Sequence, residues 1–134
     1  MIALDPNGCF DYVLLRERDL RPENRTVWRL RFLKGADFQA IAEKFRSLGE
    51  ANTDVTELET AVRIGMRGWK NLRDEDGVDI QQPEIVQEQF NGRTFSMASA
   101  QSMTRVPLGL SDQAELIAAL INGNQLSVPD AKKS

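Results

Sequence analysis

The sequence predicts an α+β fold: an N-terminal antiparallel β-hairpin packed against two or three α-helices, with a C-terminal helix completing the layer. Three observations predict it. Trp28, Leu30 and Phe32 alternate with Arg29 and Arg31, the period of a half-buried strand. Phe38, Ile41, Ala42, Phe45 and Leu48 recur at three-and-four spacing, the period of a helix face. Leu116, Ile117, Leu120 and Ile121 repeat that helical pattern near the C-terminus.

In chain order, Asp5-Pro6-Asn7-Gly8 reads as a turn and Cys9 to Leu15 as a first strand. Residues 16–25, polar around Pro22, read as a loop that lets the first strand pair with a second over Thr26 to Leu33. Together 9–33 form the expected hairpin. Asp37 is placed to cap a helix that Gly49 would end. Thr53 or Asp54 would cap the next helix, with Val55, Leu58, Ala61, Val62 and Met66 as its stripe. Trp69 and Leu72 continue that face, so 37–72 is expected to be a helical pair.

Asp74-Glu75-Asp76-Gly77 reads as an acidic turn, with glycine at a position suited to positive φ. The 78–107 segment is expected to be irregular. Pro83-Glu84 would open a short helix carrying Ile85, Val86 and Phe90, and Asn91-Gly92 would stop it. Arg93 to Met97 reads as a short strand, and 98–105 fits helix or loop. Ser111 or Asp112 caps the terminal helix over 111–122, with Glu115 set for a capping box. Residues 123–134 read as a polar tail. The whole of 1–134 is expected to be a single domain.

With 134 residues, 41% of them hydrophobic and 28% charged, the chain can bury a real core. The net charge of −3 gives no concentrated positive face for phosphate, so nucleic acid is not expected as a partner. The arginines at 16, 18, 21, 25, 29 and 31, with Lys34, read as a solvated strand face and loop rather than a polyanion site. A single cysteine, Cys9, allows no intramolecular disulfide and reads as a partly buried spectator. Met1-Ile2-Ala3-Leu4 runs straight into Asp5-Pro6, unlike a signal peptide, and the longest apolar run, Leu116 to Ile121, is too short to span a bilayer.

Catalysis finds little support. The chain has no histidine, which removes the commonest general base and metal ligand. No phosphate-binding glycine loop occurs. The best metal candidate is Asp74, Asp76 and Asp79, but Ile85 stands where a calcium loop needs its bidentate glutamate. Glu57, Glu59, Asp74 and Glu75 read as solvated charges rather than a catalytic pair. The expectation is no enzyme, no cofactor and no metal, with a metal-dependent enzyme on the 74–79 turn as the alternative of another class. Trp69 fits two roles, an exposed interface anchor or a plug joining the second helix to the core.

Three segments together resemble small proteins of tailed-bacteriophage morphogenesis. Thr26 to Asp37 (Thr-Val-Trp-Arg-Leu-Arg-Phe-Leu-Lys-Gly-Ala-Asp) looks like the strand that leads into the first helix of tail assembly chaperones and related phage proteins. Gly65 to Gly77 is similar to their Gly-Trp-x-Asn-x-x-Asp-x-Asp-Gly signature. Glu115 to Ile121, followed by Leu126-Ser127 and Lys132-Lys133-Ser134, resembles their terminal helix and tail. The chain departs from the pattern between Gln81 and Pro107, where a Met- and Ser-containing insertion replaces a short link.

The resemblance implies a virion structural or accessory protein of head or tail, or else a tail assembly chaperone absent from the mature particle. It implies a place in the virion or the host cytoplasm. Its partners would be other phage structural or assembly proteins and further copies of the chain. On this reading the expected interface residues are Trp28, Arg29, Arg31, Trp69 and Met103.

Overall fold

A computed structural model describes residues 8–33, 35–45 and 55–126. The fold is α+β, with an N-terminal hairpin, a second hairpin and a C-terminal helix. Strand β1 (Cys9–Tyr12) pairs antiparallel with β2 (Val27–Arg31), Phe10 opposite Leu30 and Tyr12 opposite Trp28. The alternation read in β2 is real: Trp28 and Leu30 are buried, while Arg29 is exposed and Arg31 half-buried. Cys9, expected to be partly buried, is exposed at the outer edge of β1.

Helix α1 (Gly35–Lys44) buries Ile41, with Phe45 buried just beyond it. Asp37 does not precede this helix as a cap but lies in its first turn. There its carboxylate holds Arg31 at 3.1 Å and Arg93 at 3.1 Å, so it ties the first hairpin to the second. The expected turn at 5–7, the stop at Gly49, the caps at Thr53 and Asp54 and the tail at 127–134 lie outside the described residues.

Helix α2 (Val55–Gly65) buries Leu58, Ala61, Val62 and Ile64. The helical pair expected over 37–72 is corrected at its end, because 66–70 is not helix. Strand β3 (Met66–Lys70) follows α2 directly and pairs antiparallel with β2, giving a sheet of order β1-β2-β3. The apolar spacing of Val62, Met66 and Trp69 suits a helix, but Arg67, between the last two, and Lys70, after them, also suit a strand. Tertiary context decides, since β2 offers a whole row of backbone groups to a partner. The register slips between Arg29 and Leu30, so Arg67 is an extra, bulged residue.

The segment expected to be irregular, 78–107, is largely ordered. It holds β4 (Ile85–Phe90), β5 (Arg93–Ala98) and α3 (Ala100–Met103). Ser99 caps α3 by accepting from the Ser102 amide at 3.1 Å. Helix α4 (Leu110–Leu126) is longer than the expected 111–122 and passes Gly123 without stopping. A Cβ on Gly123 would stand 2.7 Å from the Phe10 ring, so glycine here lets α4 approach β1.

Leu116, Ile117 and Leu120 are fully buried in one cluster with Trp28, Leu30, Ile64, Met66 and Met97. Each such side chain contributes about 1.5–3 kcal/mol by leaving water. Gly65 is the contact point of α2 on α4, because a Cβ there would meet Leu120 at 2.4–2.5 Å. Glu115 does not close a capping box. It accepts from the Tyr12 hydroxyl at 2.6 Å and the Leu15 amide at 2.8 Å, docking the end of β1 on α4. Burial and this carboxylate push the Tyr12 hydroxyl up to about 12. Asp112 accepts two bonds from the Arg16 guanidinium at 3.2 Å.

Candidate protein interface

The second hairpin is built on Asn91-Gly92. Both residues have positive φ, 52° and 79°, which is the two-residue type I′ turn that matches strand twist. It sets the register from Phe90 opposite Arg93 to Ile85 opposite Ala98. The helix expected over 85–90 is therefore a strand. Val86 and Phe90 are four apart, which fits either period, and Asn-Gly is a hairpin turn as well as a helix stop.

One face of the hairpin enters the core. Phe90, Phe95 and Met97 are buried there, with the two phenylalanine rings edge to face at 6.2 Å. The other face carries Ile85, Gln87, Gln89 and Thr94, all exposed and uncharged. Gln87 donates to the Ser96 hydroxyl across the strands at 2.6 Å.

Backbone direction follows from one bond. The Ser99 amide donates to the Glu84 carbonyl at 2.8 Å, so 84 and 99 are a hydrogen-bonded pair. Antiparallel pairing then makes 86/97, 88/95 and 90/93 bonded pairs as well. Residues 94, 96 and 98 of β5 point their backbone groups away from β4. Arginines meet two of them: Arg67 donates to the Ser96 carbonyl at 3.1 Å and Arg63 to the Ala98 carbonyl at 2.8 Å. Burial, with Arg31 nearby, lowers Arg67 to about 10, so it stays charged at neutral pH.

On the far side of β4, Ile85, Gln87 and Gln89 point their N–H and C=O groups outward. These groups have no hydrogen-bond partner among the described residues. The strand carries no lysine, arginine or proline, and its one charge, Glu88, turns to Arg63. Natural sheets usually blunt such an edge with charge, proline or a covering loop.

The other edges are bonded or flanked by charge. Just past β1, Arg18 donates to the Val13 carbonyl at 3.0 Å, and Asp11 with Arg29 puts charge beside the strand. On β3, the Gln82 side chain acts as a surrogate strand. Its oxygen accepts from the Trp69 amide at 2.9 Å and its nitrogen donates to the Trp69 carbonyl at 2.7 Å. Gly68 makes the approach possible, since a Cβ there would stand 2.7 Å from the Gln82 oxygen.

The five expected interface residues do not form one surface. Trp28 and Trp69 are 2% and 3% exposed and pack edge to face at 6.1 Å, so neither presents an anchor to a partner. The Trp69 indole donates to the Ile80 carbonyl at 3.0 Å, which makes it the plug between β3 and the acidic turn. The indole N–H of Trp28 is buried without a partner in the described structure. Arg29 and Arg31 share the outward face of β2, held by Asp11 and Asp37. Met103 is half-buried at a cavity of about 490 Å³ between α2, α3 and the start of α4, with Thr60, Arg63, Val106 and Gln113.

The 74–79 turn is committed to its own backbone. Asp74 accepts from the amides of Asp76 at 2.9 Å and Val78 at 3.0 Å, and Asp79 pairs with Arg73 at 3.0 Å. Among the described residues no three metal-ligating side chains converge. Two of the N-terminal arginines are likewise engaged, Arg16 with Asp112 and Arg25 with the carbonyls of Leu20 and Arg18. Among the described residues no helix is long and apolar enough to cross a membrane.

Sequence reasoning missed Ile85, Gln87, Gln89 and Gln82. The Asn-Gly dipeptide between two short runs was the available signal for the first three; Gln82 carries none. In comparisons with protein families, curated proteins and solved structures, nothing matches this chain.

Proposed function

We propose that this chain is a bacteriophage virion structural or accessory protein that works through protein–protein contacts in head or tail assembly, without catalysis. The observation that carries the contact reading is the outer edge of β4, unpaired among the described residues, six residues long and uncharged on its solvent face. An exposed strand edge adds a neighbour's strand through main-chain bonds alone, a common way for assembling proteins to join.

The phage assignment rests on the three segments that resemble morphogenesis proteins. The middle one works here as a folding cassette. Gly65 meets α4, Gly68 admits Gln82, Trp69 plugs the core and Gly77 takes a φ of 79°. Asn71, at φ 60°, donates to the carbonyls of Glu23 and Arg25 at 2.7 and 3.0 Å. Such residues serve shape rather than chemistry, in keeping with a structural role.

Mass spectrometry of purified particles tests the proposal. The expected result is the chain at stoichiometric level in the virion. Its absence from particles, with presence in infected cells, replaces this reading by the tail assembly chaperone.

A further inference from the structure

We infer that β4 pairs antiparallel with β4 of a second copy of this chain, about a two-fold axis at Gln87. This rests on the protein-contact reading above and names its partner. On β4 only Ile85, Gln87 and Gln89 present outward backbone groups, so an antiparallel partner strand must use those positions. The register that pairs all of them sets Ile85 opposite Gln89 of the copy, Gln87 opposite itself and Gln89 opposite Ile85. Every residue used then exchanges two hydrogen bonds with its opposite number.

Side chains agree with that register. Glu88 falls opposite Val86 of the copy, so no carboxylates face each other. Sliding by two residues in one direction would set Glu88 against Glu88, which like-charge repulsion disfavours. On the solvent face Gln87 meets Gln87, and its amide oxygen is free to accept because only its nitrogen is used, by Ser96. Ile85, 42% exposed, lies along the stem of Gln89. The product is a sheet of order β5-β4-β4-β5, closed by a two-fold axis, with arginines on two of the outward carbonyls of β5. An unrelated strand would satisfy the backbone equally, but self-complementarity in the longest register singles out a second copy.

The test uses the full chain in sedimentation velocity over a wide concentration range. The wild type is expected to dimerise as concentration rises. Gln87→Lys sets lysine against lysine at the axis and should weaken dimerisation about tenfold or more, as should Gln87→Glu. An equimolar mixture of the two variants should restore a dimer, because opposite charges then meet. Gln87→Pro removes an N–H that β5 does not use, so the hairpin should survive while the dimer is lost. Circular dichroism melts confirm that each variant is folded.

A wild type that stays monomeric at every concentration overturns the inference. So does a dimer that all the variants preserve, or protection of the 85, 87 and 89 amides from hydrogen exchange in the monomer. The inference can fail in any of these ways while the chain is still found in particles, and absence from particles leaves the dimer standing. The two failures are therefore distinct.

Discussion

Two strand edges in this protein, those of β3 and β4, meet the same problem in opposite ways. Each would leave backbone donors and acceptors unpaired. At β3 the chain supplies substitutes: Gln82 bonds both backbone groups of Trp69, and the Ile80 amide returns to the Leu72 carbonyl at 2.9 Å. At β4 it supplies none among the described residues. The difference follows burial. Trp69 sits in the core, where unpaired amides would cost about 1–3 kcal/mol each, whereas β4 lies at the surface, where water satisfies them until a partner arrives.

The strongest way to break the comparison is to remove the plug behind the closed edge. Trp69→Ala deletes the edge-to-face contact with Trp28 and the bond to Ile80. It should cost about 3–5 kcal/mol in urea unfolding. A smaller effect isolates the edge itself. Gln82→Ala leaves the Trp69 amide and carbonyl without their partner and should cost about 1–3 kcal/mol, while Gln87→Ala on the open edge should change monomer stability by no more than about 0.5 kcal/mol. Equal costs at the two positions would show that the edges do not differ as described.

The smallest effect at neutral pH concerns the lock that holds β1 to α4. Tyr12 is the only tyrosine, so its ionisation can be followed by ultraviolet absorbance. The folded protein should titrate near 12 rather than 10. Because the folded value is raised, the stability it reflects is complete below pH 10 and is lost as pH climbs toward 12. Glu115→Gln should lower that midpoint, and an unchanged midpoint would remove the carboxylate as a cause.

Legibility in the sequence tracked how far each period was unambiguous. The β2 alternation, the α4 stripe and the α2 stripe up to Val62 each fit one period, and each element formed where its pattern lay. Met66 to Lys70 fits two, and the strand won because β2 needed a partner. Ile85 to Phe90 also fits two, and there the Asn91-Gly92 turn carried the answer, since positive φ at both residues suits a type I′ hairpin. The interface was less visible. Large aromatics suggested anchors, but Trp28 and Trp69 pack against each other inside, and the exposed edge consists of residues with no signature of their own.

What the sequence by itself determined is the α+β class, the N-terminal hairpin and the C-terminal helix, because hydrophobic period is a local property that survives any packing arrangement. Only the tertiary structure decided that β3 is a strand, that both tryptophans are inward and that β4 is left open among the described residues. Each depends on which backbone groups meet a partner far away in sequence. Gln82 at Trp69, Arg67 at Ser96 and Arg63 at Ala98 are such meetings, and no local pattern encodes them.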